Sequence, residues 1–421
     1  MKKAMIAAAA LVACLPLKAT AAPDVPEVKP SVQVDTLAIS GDLRIREEYY
    51  DYRDNPSSTE FAAGKVPKDR NRERFRLRLK FDYKLKDDLK AVASFASGTG
   101  EAVSTNQTLS GLSKQKAVWI DQAYMAWSPS LFGDAGSIAL TAGRMVNPLW
   151  RLYTSDIVWD GDFNPEGFGE SLSYVIGDSL RVFANAMQMA DDEWAGVGDD
   201  PWTLSQQVGI EMPLPLESRI LLAGAFHKWE NVNRGFMNQS PVQLGNTRGS
   251  SATLLDNYGV MELTGQLSSW LSVPVVDISL PLVLQGTVIA NRDARGPDWS
   301  GTLSGKLWPA GTFIGRSASG YQIGATLGKA SAPGSWEIAY YYKRAGWDCT
   351  VADVADSDFG DGGLDRKGNI AWIAYTPNGF VTFQAKVFNV RLLDKRYVMT
   401  GGKITVPDRI NRIQVDATVK F

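Results

Sequence analysis

Glu73-Arg74-Phe75-Arg76-Leu77-Arg78-Leu79-Lys80-Phe81-Asp82-Tyr83 is the stretch that decides the fold. Successive side chains of an extended strand point to opposite sides. Phe75, Leu77, Leu79, Phe81 and Tyr83 therefore share one face, and Arg74, Arg76, Arg78, Lys80 and Asp82 share the other. One face is apolar and the other densely charged. A soluble sandwich also alternates, with its polar side turned to bulk water. A membrane barrel turns its apolar side to lipid and its polar side to an aqueous lumen. The period alone leaves both architectures open.

Working outward, the same alternation marks sixteen strands, at 36–50, 72–85, 88–99, 116–127, 136–144, 168–176, 179–189, 203–212, 217–229, 254–265, 273–291, 319–328, 334–345, 367–376, 379–391 and 409–421. The segments after odd-numbered strands are long and rich in Gly, Asn, Asp and Ser. Those after even-numbered strands are short, as at Lys86-Asp87, Gly177-Asp178 and Pro377-Asn378, which are turns by composition. Connections 128–135 and 266–272 are looser. Short turns on one side and long loops on the other fit an antiparallel transmembrane β-barrel threaded from the periplasm, with both termini periplasmic. Boundaries read this way carry an error of several residues, so fourteen or eighteen strands stay open.

The chain starts as an exported precursor would. Met1-Lys2-Lys3, an apolar stretch to Leu17 and Ala19-Thr20-Ala21 give a basic start, a short greasy middle and a small-residue cleavage site. Cleavage after Ala21 leaves a flexible leader over 22–35 and a barrel over 36–421. A lipoprotein box at Leu11-Val12-Ala13-Cys14 is disfavoured, because its apolar region is very short and the downstream site then has no purpose. Losing 1–21 removes three lysines and no acid, leaving 41 basic against 46 acidic residues. That balance excludes a nucleic-acid footprint. Cys349 is the one cysteine left, so no intramolecular disulfide forms. Nothing after residue 21 is apolar for long enough to make a membrane helix; 271–290, the nearest approach, contains Pro274, Asp277, Pro281 and Gln285. Aromatic residues make up 10% of the chain, and many, such as Tyr50, Tyr83, Trp127, Trp229 and Phe421, sit near strand ends. Interfacial girdles look like this as a set. The closing Ile413 to Phe421 alternates and ends on an aromatic, as suits a strand sealing against the first.

Several segments together resemble the putative porin family of Gram-negative outer membranes, which is similar in style to general and phosphate-selective porins. They run from Gly41-Asp42-Leu43-Arg44-Ile45-Arg46 through Arg74 to Arg78, Asp121-Gln122-Ala123-Tyr124 and Ala142-Gly143-Arg144-Met145. Asn147-Pro148, Trp159 to Gly167, Asp356 to Phe359 and Asn411 to Phe421 follow, with Asp162-Phe163-Asn164-Pro165-Glu166-Gly167 the most specific piece. The resemblance implies an outer-membrane barrel, reached through the periplasm, that surrounds itself with lipid and passes small hydrophilic solutes and ions. It also implies a homotrimer, and it supplies no catalytic residue and no cofactor.

The inventory for enzyme chemistry is thin. His227 is the one histidine, so a histidine-based zinc site has too few ligands and no nucleophile is evident beside a base. His227 reads as a pore-lining or loop-end residue. The acids Asp353, Asp356, Asp358 and Asp361 do not complete a calcium-loop pattern and read as a solvated extracellular loop. The sharper expectation concerns 144–167, the connection that porins fold into their lumen. Its acids Asp156, Asp160, Asp162 and Glu166 then face the basic residues Arg44, Arg46, Arg74, Arg76, Arg78 and Lys80 on the early strands. Such a constriction sets a transverse field that filters ions by charge and width. Inward arginine is required, since lipid-facing arginine costs about 2–4 kcal/mol at midplane. The competing functions are a substrate-selective channel, a non-conducting adhesin or scaffold, and a soluble sandwich.

Overall fold

In a membrane every backbone polar group needs a partner inside the protein, and a strand sheet meets that demand only by closing on itself. The computed structural model describes residues 36–53, 69–86, 88–152, 157–177, 179–193, 200–232, 245–246, 254, 257–273, 278–294, 302–303, 306–307, 317–393, 399–400, 403–404 and 408–421. The expected signal peptide and leader lie outside them. Sixteen long strands close an antiparallel barrel. They are β1 (Thr36–Arg53), β2 (Arg70–Lys86), β3 (Leu89–Ser97), β4 (Val118–Trp127), β5 (Gly136–Arg144), β6 (Glu166–Ile176), β7 (Leu180–Ala190) and β8 (Trp202–Leu214). The second half is β9 (Ser218–Glu230), β10 (Tyr258–Val273), β11 (Ile278–Asn291), β12 (Ser319–Gly328), β13 (Ser335–Ala345), β14 (Arg366–Thr376), β15 (Val381–Leu392) and β16 (Arg409–Lys420).

Each strand pairs with its sequence neighbours, and β16 pairs with β1 from Lys420↔Asp42 to Arg409↔Arg53. The closure is tightened at Gly41, whose N–H donates to the Phe421 carbonyl at 2.8 Å while the Phe421 N–H donates back at 3.1 Å. A Cβ on Gly41 would sit 2.4 Å from the Arg78 carbonyl oxygen and 2.8 Å from the Phe421 ring, so the terminal aromatic lies over a position that only glycine leaves open.

The strand positions differ most from the sequence reading at β10 and β11. The expected connection over 266–272 is strand, paired from Gln266↔Gln285 to Val273↔Ile278. Serines at 268, 269 and 272 gave the segment a loop-like composition, yet backbone pairing in the barrel overrides that preference.

Alternation sorts the two faces. Ile45, Leu77, Val387, Ile373 and Val415 stand on the outside as exposed large hydrophobics, the kind of face that a membrane barrel turns to lipid. Their immediate neighbours in sequence turn into the barrel. A bulge between β3 and β4, where Ser94 opposes Gln122 and Phe95 opposes Ile120, leaves Asp121 unpaired. Its carboxylate turns inward to accept a bond from Asn164 Nδ2 at 2.9 Å.

Candidate functional site

The register of β1 against β2 builds one wall of the lumen. Arg44 pairs with Arg76, Arg46 with Arg74, Asp42 with Arg78, Glu48 with Arg72 and Ser40 with Lys80. Arg44, Arg46, Arg74, Arg76, Arg78 and Lys80 all point inward, while Leu77 between two of them is 40% exposed on the outside. Guanidinium groups keep their charge even when stacked this densely, and their planar forks suit carboxylates. The wall supplies partners. Asp416 takes Arg46 Nε and Nη2, both at 2.7 Å. Arg76 lies 2.7 Å from Asp42, and Lys80 3.0 Å from Asp82. Buried Glu48 receives Arg72 at 2.6 Å and Arg412 at 2.5 Å. Arg44 donates to Asn106 and lies 3.8 Å from Asp416.

Three loops fold over this wall from inside the barrel. The first, 98–117, buries Val103 to Gln107 and adds a two-residue strand, Gln107–Thr108, against β2. The second is described over 145–152 and 157–165. It leaves β5 past Gly143, where φ is +123° and a Cβ would meet the Ala123 carbonyl oxygen at 2.3 Å. Gln207 on β8 then grips the backbone of Trp150 twice, accepting from its N–H and donating to its carbonyl, each at 2.8 Å. Farther along, Trp159 stacks on Phe163 (5.4 Å) and on Trp229 (5.2 Å), and meets His227 edge-on at 5.7 Å. Offset aromatic packing of this kind adds about 0.5–1.5 kcal/mol per pair beyond area.

The loop meets the basic wall through Asp162. Its Oδ1 accepts from Arg78 Nη2 at 2.5 Å, and its Oδ2 receives the Thr105 hydroxyl at 3.3 Å. Burial pushes this carboxyl up, but Arg78, then Arg76, outweigh burial and hold it at about 2. The other expected acids fare differently. Asp160 faces the third loop, accepting the Ser357 N–H at 2.8 Å, and also caps the Asp162 N–H at 2.8 Å. Glu166, at the first position of β6, alternates to the outside; its side chain is 63% exposed and pairs with Arg144 at 2.7 Å. It stands apart from the basic wall. Asp156 lies outside the described residues.

The third loop, 346–365, corrects a further expectation. Asp353 and Asp356 are buried rather than solvated, and Asp358 is largely so; of the four acids there, Asp361 is exposed. Asp356 accepts from Lys343 Nζ at 2.7 Å. Asp358 accepts from Arg412 Nη2 at 2.8 Å and lies 3.4 Å from Arg46 Nη1. Burial opposes its ionisation, but Arg412 and then Arg46 hold the carboxyl well below the ordinary range. This loop also joins the other two: the Asp160 N–H of the second donates to the Val354 carbonyl at 2.7 Å, and Ser357 Oγ donates to the Val103 carbonyl of the first at 2.9 Å. Val351, Val354 and Cys349 pack with Ile157, Val158 and Trp159 in one apolar cluster inside the barrel. The sequence signal was there in Val351-Ala352-Asp353-Val354-Ala355, a run too apolar for a loop in water.

His227 points inward as expected but lines no water. It is fully buried beneath Trp159, with Nδ1 2.9 Å from Ser205 Oγ and Nε2 3.0 Å from Glu262 Oε2. Serine, histidine and glutamate in contact invite comparison with a hydrolytic triad. Ser205 is itself fully buried, however, and so is sealed from any acyl substrate; the trio anchors the loop. Among the described residues no group of three His, Cys, Asp or Glu has metal-ligand geometry.

A closed barrel, apolar outside, charged within and narrowed by inward loops, defines an outer-membrane channel-forming barrel. Residues 46–256, half of the chain, match the family described as "Putative porin", and the chain belongs to that family. Among solved structures, OprB of Pseudomonas putida shares the fold with a TM-score of 0.53 at 10% identity, covering 91% of this chain and 94% of that one. OmpF of Salmonella typhi, in complex with daunomycin, gives 0.47 at 12% identity (91% and 97% covered). The channel DcaP of Acinetobacter baumannii gives 0.45 at 14% (91% and 97%). No curated protein matches in sequence.

Proposed function

We propose that the protein is a non-enzymatic, water-filled channel through which small hydrophilic solutes and ions cross the outer membrane by passive diffusion. The observation that carries this is the sidedness of β2: Leu77 exposed on the apolar outer face, and Arg76 and Arg78 on a charged inner wall that the loops leave partly exposed. A wall of this charge is useful only where water and solutes reach it. Asp162 against Arg78 sets the charge-separated constriction across which dipolar solutes orient. The test is purified protein in planar bilayers: steady ion conductance and swelling of loaded liposomes support the proposal, and their absence favours a non-conducting scaffold.

A second reading, a substrate-selective channel, is favoured by the three loops, which together place an apolar cluster in the lumen. It predicts current that saturates with one solute class rather than scaling with solute size. A homotrimer is expected from kinship with porins, and sedimentation in detergent measures it.

A further inference from the structure

Asp358 brings a loop carboxylate between Arg46 and Arg412 of the basic wall. On the wall it joins, Arg44, Arg46, Arg72, Arg74, Arg76, Arg78 and Arg412 meet the strand carboxylates Asp42, Glu48 and Asp416, and Lys80 takes Asp82. Loops lend two more, Asp162 and Asp358. Arginines outnumber these carboxylates even then, and among the described residues the buried Nε–H groups of Arg44, Arg74 and Arg412 meet no acceptor, nor the Gln414 Oε1 beside them a donor. Of the carboxylates that meet these arginines Asp358 is the most open to water. Arg46 and Arg412 are sealed in the wall, whereas the Asp358 side chain keeps 29% of its surface open. Its carboxylate can swing away while its backbone carbonyl keeps the 2.6 Å bond from Arg412 Nη1, so the loop need not undock.

We infer that Arg46 and Arg412 form an oxyanion subsite for carboxylate-bearing solutes, which Asp358 fills as an internal stand-in while no solute is bound. Arg44 and Lys386, which also act electrostatically on Asp358, extend the attraction to a second charge on the same solute. The guanidinium forks supply geometry as well as charge, so an isosteric amide does not substitute. Solute and Asp358 compete for one place, and the apparent affinity is lowered by the fraction of time that Asp358 occupies it.

This rests on the channel reading, because solutes must reach the lumen. The test is equilibrium dialysis of radiolabelled malonate against the folded, detergent-solubilised full chain, with gel mobility before and after heating as the check of folding. Asp358→Asn is expected to bind malonate about tenfold more tightly than wild type, one decade of affinity being about 1.4 kcal/mol. Adding Arg46→Gln to Asp358→Asn is expected to abolish that gain, and neutral malonamide is expected not to compete. Equal affinity in wild type and Asp358→Asn, no binding to either, or binding that survives loss of Arg46 overturns the inference. Bilayer recordings separate the two claims. Tight malonate binding without conductance sinks the channel reading alone, and conductance with unchanged malonate affinity sinks the subsite alone.

Discussion

Replacing Asp162 with alanine removes an ion pair, with Arg78, that ties the lumenal loop to the basic wall. The change deletes the 2.5 Å contact with Arg78 and the bonds from Thr105 Oγ1 at 3.3 Å and Thr105 N at 3.4 Å. Breaking a fully buried pair costs about 3–5 kcal/mol, because the surviving charge is stranded. Here both side chains stay partly wet, 25% and 20% exposed, so water relieves Arg78 and about 2 kcal/mol is the apt figure. The loop's other anchors, the two hydrogen bonds between Gln207 and the Trp150 backbone and the Trp159 stack, are untouched, so the barrel itself should fold normally. A loss of about 2 kcal/mol multiplies the ratio of undocked to docked loop about 30-fold. In single-channel recordings this is expected as a larger-conductance substate whose occupancy, relative to the main level, rises by that factor. Reversal potentials in a salt gradient should move toward anions as well, since a carboxylate is lost and a guanidinium freed. A substate ratio within about threefold of wild type would refute the claim that Arg78–Asp162 holds the constriction.

The same pair fixes a pH dependence. The Asp162 carboxyl titrates at about 2 in the folded protein, below its free value of about 3.9, so its stabilisation is fully present above the free value and is lost as pH falls toward the folded one. Substate occupancy should be flat from pH 7 to about pH 4.5 and climb below about pH 4; a transition near pH 6 would exclude Asp162 as its source. Cys349, fully buried, has its thiol pushed up to about 12 by that burial, with Asp348 adding to it. A maleimide should therefore leave the folded protein unmodified and label it at once in denaturant, whereas fast labelling of the folded barrel would show that loop 346–365 is not docked. Arg76→Glu places a carboxylate beside Asp42 and opposite Arg44, and reversal potentials should shift toward cations. An unchanged value would remove Arg76 from the conduction path.

The fold was legible because a membrane barrel imposes one rule on every strand. Phe75, Leu77 and Leu79 must meet lipid, so their neighbours must face inward, and the β1–β2 wall could be placed from 73–83 alone. β10 ran past its expected end because Ser268, Ser269 and Ser272 carry no signal that separates a strand from a turn. The site was legible only in part. Arg78 and Asp162 were both named, and they meet. Glu166 was misplaced because it begins β6, where a shift of one residue reverses the side a chain faces. The inward path of 346–365 was missed for a different reason. Acids such as Asp353 and Asp356 look solvated until a buried cation such as Lys343 is known to stand opposite, and that pairing is a property of the closed barrel rather than of either segment.

The central claim, that odd-numbered side chains of β2 meet lipid while even-numbered ones stand in a conducting aqueous lumen, is tested most directly with single cysteines at Leu77 and Lys80 in a Cys349→Ser background. During bilayer recording, a charged water-soluble thiol reagent is added to both chambers. The account predicts a stepwise change in current through Lys80→Cys channels and none through Leu77→Cys channels. Current that responds at residue 77 and ignores residue 80 would contradict it.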